Sequence, residues 1–145
     1  MMDAHRLVES MIEAFMGKDI ERVLDFFADE ATMIDPHYPQ KEMVGKPAIA
    51  AGLRWAFQFL EQPGFELLNL IGRENLVAIE VRAHHRFKGG KSIRFNEVFV
   101  AELHDGKITR LQAYPDYGPG GIQNVMLRLQ RFWLRIHKKK TYSDK

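Results

Sequence analysis

The stretch that decides the fold, residues 91–104, reads KSIRFNEVFVAELH. Apolar residues occupy every second position, a period of two that places them on one face of a β-strand. Glu97 lies in the middle of that face, between Phe95 and Phe99. Because an unpaired charge is costly to bury, this glutamate is expected to be protonated, to line a cavity, or to pair with a buried basic residue. A bulge that turns it outward is the remaining alternative.

Further strand patterns lie on both sides of this stretch. They cover residues 65–72 and 75–87 before it and residues 107–115 after it. The gaps between the four strands are short and contain glycine, which predicts antiparallel hairpins.

The N-terminal half shows helical spacing instead. The predicted elements are, in order, a helix over residues 5–15, a second helix after Asp19 with Phe27 on its inner face, a short strand at 31–36, a loop at 36–45 and a helix from Pro47 to Leu60. Three helices followed by a curved antiparallel sheet predict an α+β fold, not alternating βαβ units.

Length and composition limit the classes of protein that are possible. A chain of 145 residues is expected to form one main domain, and the absence of cysteine excludes disulfides and thiolate chemistry. No apolar run approaches the roughly 20 residues that span a bilayer. The N-terminus lacks the apolar core of a signal peptide, so a cytoplasmic location is expected.

The net charge of +2 is divided unevenly along the chain. Residues 1–121 carry 14 basic and 18 acidic side chains, a net of −4, whereas residues 122–145 carry 7 and 1, a net of +6. We therefore predict a domain over residues 1–121 and a basic amphipathic helix and tail over residues 122–145, the helix following Pro119-Gly120-Gly121 and preceding Lys138–Lys140. Packing of its apolar face on the domain or on a dimer partner is favoured over contact with a membrane surface, and no nucleic-acid partner is expected.

Three further ionisable side chains accompany Glu97 as candidates for a site. Asp35 ends a short strand before the loop His37-Tyr38-Pro39, where an Asp-Pro pair commonly forms a turn by bonding backbone amides. A functional role for it requires a second group facing it. Asp116 follows the last strand and fits either a turn or a cavity rim. His85 falls on the apolar face of its strand, as a core histidine or as a partner of Glu97.

Several catalytic motifs are missing from the sequence. We find no glycine-rich phosphate loop, no His-x-x-x-His or acidic metal spacing and no Gly-x-Ser-x-Gly elbow. No metal and no cofactor is therefore predicted.

The order of several short motifs resembles the SnoaL-like polyketide cyclase group, which belongs to the nuclear transport factor-2-like superfamily with ketosteroid isomerases and limonene epoxide hydrolases. The motifs are Gly17-Lys18-Asp19, FFADEAT at residues 26–32, Asp35-Pro36, GKPAI at 45–49, DGKIT at 105–109 and Tyr114-Pro115-Asp116. The resemblance covers about residues 5–118 and implies a cone, with a curved sheet wrapped on helices around an apolar pocket, commonly in a dimer.

The resemblance also implies roles for individual residues. Asp35 falls where ketosteroid isomerases carry the general base, Glu97 on or beside their oxyanion-hole aspartic acid, and Asp116 at the aspartate used by the cyclases and the epoxide hydrolase. Met11 stands where the isomerases have a hydrogen-bonding tyrosine. Val81 and Ala83 stand where the epoxide hydrolase has its Arg and Asp, so neither strict activity is expected.

Two functions follow as hypotheses. The first is a cofactor-independent acid/base enzyme, of isomerase, cyclase or related lyase or hydrolase type, acting on a small hydrophobic carbonyl compound. Its catalytic residues would be Asp35, Glu97 and Asp116. The second is a binding or dimerisation module without chemistry. In both, the candidate ligand contacts are Met11, Phe15, His37, Tyr38, Trp55, Phe59, His85 and Tyr114.

Overall fold

Four helices and seven strands make up the described part of the chain, residues 3–116 and 121–143 of a computed structural model. The helices are α1 (Ala4–Met16), α2 (Ile20–Leu24), α3 (Lys46–Phe59) and α4 (Gly121–Ser143). The strands are β1 (Phe27–Ile34), β2 (Glu42–Val44), β3 (Leu60–Gln62), β4 (Phe65–Arg73), β5 (Leu76–Phe87), β6 (Ser92–His104) and β7 (Lys107–Pro115). The α+β class, with N-terminal helices, a curved and unclosed sheet and a C-terminal helix, is therefore confirmed.

The strands form one sheet in the order β2-β1-β7-β6-β5-β3, and β4 also pairs with β5. The meander from β4 to β7 is antiparallel, as the short gaps between these strands predict. The pairing of β1 with β7 is parallel, so the prediction of a wholly antiparallel sheet is wrong at this position. Parallel pairing is possible because a long connection separates the two strands, whereas hairpins force the antiparallel direction.

Three local predictions also need correction. Phe27 begins β1 instead of continuing α2, because its strand pairs with β7 opposite Ile108, although its side chain is buried as expected. The predicted loop at 36–45 contains β2, which pairs with β1. Helix α3 ends at Phe59, since Leu60–Gln62 pair with β5. The strands β2 and β3, with three residues each, are too short to show a period of two.

The core lies between the helices and the inner face of the sheet. Leu7 and Val8 of α1 and Ile49 and Leu53 of α3 are almost fully buried. The sheet contributes its alternate side chains, including Val77, Ile79, Val81, Ala101 and Leu111. The face that carries these apolar residues also carries Glu97 and His85, so the packing of the core brings two ionisable side chains inside.

The C-terminal segment stands apart from this core. Helix α4 begins after residues 117–120, and the side chains of Lys138–Lys140 lie outside the described ones. The division into residues 1–121 and 122–145 stays a prediction. Within residues 3–116 and 121–143, no helix is long and apolar enough to cross a membrane.

We expect Ile79→Ala to lower the free energy of unfolding by about 2–5 kcal/mol, because it leaves a cavity where the inner face of β5 meets the helices. Ile71→Ala on β4 is the matched control. The Ile71 side chain is 71% exposed against 2% for Ile79, so its loss should change the value by less than about 0.5 kcal/mol. Urea unfolding measures both, and equal effects would contradict this arrangement of the sheet.

Candidate active site

Glu97 occupies the middle of β6, on the inner face of the sheet. It lies opposite Val81 of β5 and Pro115 of β7, and only 3% of it is exposed. Its Oε1 accepts no hydrogen bond within the described part of the chain. Burial, reinforced by the negative charge of Asp35 and partly offset by His37, raises the pKa of Glu97 to about 8. At neutral pH this side chain is therefore mainly a neutral acid, able to donate a hydrogen bond.

Asp35 comes directly after β1 and is also buried. Its backbone N–H donates to the carbonyl of Lys41 at 2.9 Å, which fixes the chain as it leaves the strand. Its Oδ1 accepts the backbone N–H of His37 at 2.9 Å. The carboxylate thus forms the turn that an Asp-Pro pair commonly forms, and the same turn carries the next residues toward Glu97.

His37 links the two carboxyl groups. Its Nδ1 lies 2.6 Å from Asp35 Oδ1 and 3.6 Å from Glu97 Oε1. Burial lowers the pKa of His37, but the hydrogen bond to Asp35 and the charges of Asp35 and Glu97 outweigh burial, and the pKa lies above its ordinary value. The three side chains form one electrostatically coupled cluster, which we call the acid/base cluster.

Two adjoining cavities contact the acid/base cluster, the outer one at all three residues and the inner one at Asp35. The outer cavity has a volume of about 450 Å³, and the inner one, which reaches the core between the helices and the sheet, about 70 Å³. The outer cavity is lined by Phe15, Asp35, His37, Tyr38, Trp55, Ala56, Phe59, Leu60, Phe65, His85, Phe87, Ile93, Phe95 and Glu97. Apart from the ionisable groups this lining is apolar and largely aromatic, so a ligand here would be mostly hydrophobic.

Tyr38 is shared by the two cavities. It is buried in contact with the ring of Trp55. Burial, followed by the charges of Asp35 and Glu97, raises the pKa of the Tyr38 phenol. The hydroxyl therefore stays neutral throughout the physiological range.

His85 is held in one tautomer by the backbone. The N–H of Gly64 donates to His85 Nδ1 at 3.0 Å, so the proton of the neutral ring lies on Nε2. Burial, with smaller contributions from the charges of His37 and His84, lowers the pKa of His85 to about 4. His85 is thus a neutral side chain at the cavity wall, edge-on to the ring of Phe65.

The structure brings most of the predicted site residues together. Asp35, Glu97, His37, Tyr38, Phe15, Trp55, Phe59 and His85 line the outer cavity, and Met11 lines the inner one. Asp116 and Tyr114 do not join them within residues 3–116 and 121–143. Ala113 points inward, so the alternation along β7 turns Tyr114 outward. Asp116 is exposed beyond the strand end, its N–H bonded to the carbonyl of Asn96.

Sequence reasoning missed two features of this site. It treated His37 as a ligand contact and not as the link between Asp35 and Glu97, because the link depends on a turn that periodicity does not describe. It also missed Phe95 and Phe65 in the cavity wall. For Phe95 the signal was present, since this residue shares the alternating face of Glu97.

The acid/base cluster could also hold a divalent cation. One ligand atom from each of Asp35, His37 and Glu97 lies within 4.8 Å of the other two. Two carboxylates and one imidazole are a ligand set for zinc or other first-row transition metals. An ion in this position would replace the Asp35–His37 hydrogen bond and require an ionised Glu97. The absence of a metal, expected from the sequence, stays a prediction.

Solved structures with the same arrangement of elements come from several bacteria. One is a protein related to nuclear transport factor-2, of unknown function, from Burkholderia pseudomallei (17% identity, TM-score 0.71, 80% of this chain and 92% of that one). A provisionally assigned SnoaL-like polyketide cyclase from Shewanella putrefaciens has 18% identity, a TM-score of 0.69 and coverage of 81% and 92%. A protein of ketosteroid isomerase-like fold from Catenulispora acidiphila, in complex with trimethylamine, has 19% identity, a TM-score of 0.68 and coverage of 74% and 83%.

These likenesses show that the chain shares the fold of these proteins, in which helices pack in a curved sheet. Residues 8–111 match the SnoaL-like domain family, and the chain belongs to that family. A search of curated proteins finds no match. The predicted family resemblance is therefore confirmed.

We expect Glu97→Gln to reduce a pH-dependent loss of stability, to which His37 also contributes because its pKa is raised as well. Between pH about 4.5 and 8 the folded chain holds the Glu97 proton that the unfolded chain has released, so the free energy of unfolding falls as pH rises. The slope reaches up to about 1.4 kcal/mol per pH unit, and it vanishes above pH about 8. Urea unfolding of both proteins between pH 6.5 and 8.5 measures the difference.

This pH window avoids the opposing effect of His85. The lowered pKa of His85 makes stability rise with pH between about 4 and 6.5, in wild type and variant alike. Parallel curves for the two proteins from pH 6.5 to 8 would mean that Glu97 ionises at its ordinary pKa.

Proposed function

We propose that the protein is a cofactor-independent acid/base enzyme that acts on a small hydrophobic carbonyl compound. The observation that carries this proposal is the convergence of Asp35, His37 and Glu97 on one apolar cavity, with the pKa of Glu97 raised to about 8. Ionisable groups whose environments separate their pKa values supply an acid and a base at the same pH.

The base in this proposal is the Asp35–His37 pair. The 2.6 Å contact between Asp35 Oδ1 and His37 Nδ1 orients the imidazole and joins the two groups into one proton acceptor. In its proton-free form the pair consists of the Asp35 carboxylate and a neutral His37. It would remove a proton from the carbon next to the carbonyl group of the substrate.

Glu97 supplies the acid. When the C–H bond breaks, its electron pair forms the C=C bond of an enolate and negative charge develops on the carbonyl oxygen. A protonated Glu97 donates a hydrogen bond to that oxygen from a site where water is largely excluded, so the interaction is stronger than in solution. Met11 cannot provide the hydrogen bond that a tyrosine would donate, which leaves Glu97 as the donor in this scheme.

The enolate can then react in two ways. Return of the proton to a different carbon of a conjugated system gives an isomerase. Attack of the enolate carbon on a second carbonyl group within the same molecule gives a cyclase, in which the π electrons of that group form an alkoxide that takes the proton back from the Asp35–His37 pair. Both leave the acid/base cluster in its starting state. The cavity of about 450 Å³ and its aromatic walls favour a cyclic or polycyclic substrate over an extended polar one.

Hydrogen exchange tests the base directly, without knowledge of the natural substrate. In D₂O the protein should exchange the protons next to the carbonyl group of hydrophobic cyclic ketones, as followed by mass spectrometry. We expect Asp35→Asn to slow this exchange by roughly 100-fold or more, because it removes the carboxylate of the acceptor pair. Asp105→Asn, at an exposed turn far from the cavity, is the matched control and should exchange as the wild type does.

The variant Asp116→Asn tests the alternative prediction from the sequence, in which Asp116 is the base. Exchange lost in Asp116→Asn and retained in Asp35→Asn would reject Asp35–His37 as the base. Exchange absent from the wild type with every ketone that binds would reject the enzymatic proposal.

Removal of metal should leave the exchange rate unchanged, because the proposed acid and base need no cation. Dialysis against EDTA followed by the same exchange assay measures this. A loss of activity that added Zn²⁺ or Mn²⁺ restores would identify Asp35, His37 and Glu97 as metal ligands and overturn the cofactor-independent mechanism.

A binding or dimerisation module is the second candidate function, favoured by the large apolar share of the cavity wall and by Met11. The similar protein from Catenulispora acidiphila is in complex with trimethylamine, a small amine, which supports small-molecule binding by proteins of this fold. Ketones that bind without exchange, together with an unaltered co-purifying ligand in native mass spectra, would favour this function. The homodimer stays a prediction in either case.

A further inference from the structure

Helix α4 separates apolar and basic side chains onto different faces. At 100° per residue, Ile122, Val125, Leu129, Phe132, Trp133 and Ile136 fall within an arc of about 100°. Arg128, Arg131 and Arg135 lie off this arc, about 40–100° beyond its Phe132 edge. The segment 121–143 contains six Lys or Arg residues and no Asp or Glu.

The apolar face of α4 is not covered by the rest of the described chain. Trp133 is 63% exposed, Ile122 is 77% exposed, and Ile136, the least exposed of the six, is still 42% exposed. The expectation that this face packs on the domain of the same chain is therefore wrong. Two occupants remain, a second copy of the chain and a lipid surface.

Charge argues against a second copy. Two α4 helices packed through their apolar faces would bring together two segments that each carry six basic and no acidic residues. The large exposed apolar residues of the domain are distributed over several elements, with Val44 on β2, Ile71 on β4 and Tyr114 on β7.

An anionic membrane surface can bind the apolar residues and the basic residues of α4 at the same time. The acyl boundary accepts the apolar arc, and Trp133 and Phe132 suit the level of the headgroups. The arginine stems can extend along the helix so that their guanidinium groups reach anionic phosphates. A helix of this composition lies in the plane of the surface, which agrees with the absence of a spanning helix among the described residues.

We propose that α4 binds the protein to anionic membrane surfaces, with its apolar face buried in the interface. The cavity domain would then be held close to the bilayer, where hydrophobic compounds concentrate. This inference rests on α4 alone and does not depend on the proposed chemistry.

Flotation of the full-length protein with vesicles tests the proposal. We expect recovery with vesicles that mix phosphatidylcholine and phosphatidylglycerol, little recovery with pure phosphatidylcholine, and loss at high salt. Replacing Arg128, Arg131 and Arg135 by Gln should weaken binding by about fivefold for each arginine. Trp133→Glu should abolish flotation, whereas Ile71→Glu, an equally exposed apolar residue of the domain, should float as the wild type does.

Each contrary result overturns the proposal. Equal recovery with and without phosphatidylglycerol removes the role of charge, and flotation of Trp133→Glu removes the role of the apolar face. Sedimentation of the protein without lipid tests whether a second copy of the chain packs on α4 instead. Concentration-dependent association that Trp133→Glu abolishes, without flotation of the wild type, would identify a second copy of the chain on α4. Circular dichroism shows that each variant retains its helices.

Discussion

The buried carboxyl group of Glu97 is the constraint on which the rest of the site depends. The alternation of β6 that packs the core also forces this group inside, where a lone negative charge would be strongly unfavourable. The fold meets that constraint by keeping Glu97 protonated and by setting His37 between it and Asp35. A cluster of an anion, an imidazole and a neutral acid is tolerated in an apolar cavity because its net charge stays small.

The sequence predicts the parts of this fold that local periodicity controls. Alternation defines β4 to β7 to within a few residues, and the short gaps define their antiparallel pairing. The parallel contact of β1 with β7 is not predictable in this way, because it joins residues about 80 positions apart in the chain. In the site, periodicity predicts that the carboxyl group of Glu97 lies on the apolar face of its strand. The Asp35–His37 hydrogen bond escapes prediction, because a turn and not a repeating pattern creates it.

Family membership explains the framework of the domain, whereas the side chains in the cavity determine its chemistry. Membership of the SnoaL-like domain family accounts for the sheet, the helices and the cavity, and similar structures below 20% identity share that framework. A fold does not by itself determine a function, so the chemistry must be argued from the side chains that this chain places in its cavity. Here these are a carboxylate–imidazole pair and a protonated glutamic acid.

The position of β7 has a consequence for the order in which the protein assembles. β7 lies between β1, which leads to Asp35, and β6, which carries Glu97, so it joins the two halves of the sheet. During synthesis Asp35 emerges early, but no strand connects it to Glu97 until residues 107–115 have left the ribosome. The sheet therefore links the elements that carry the two carboxyl groups only once β7 has paired with both β1 and β6. A bound ligand would accordingly stabilise only the fully assembled domain.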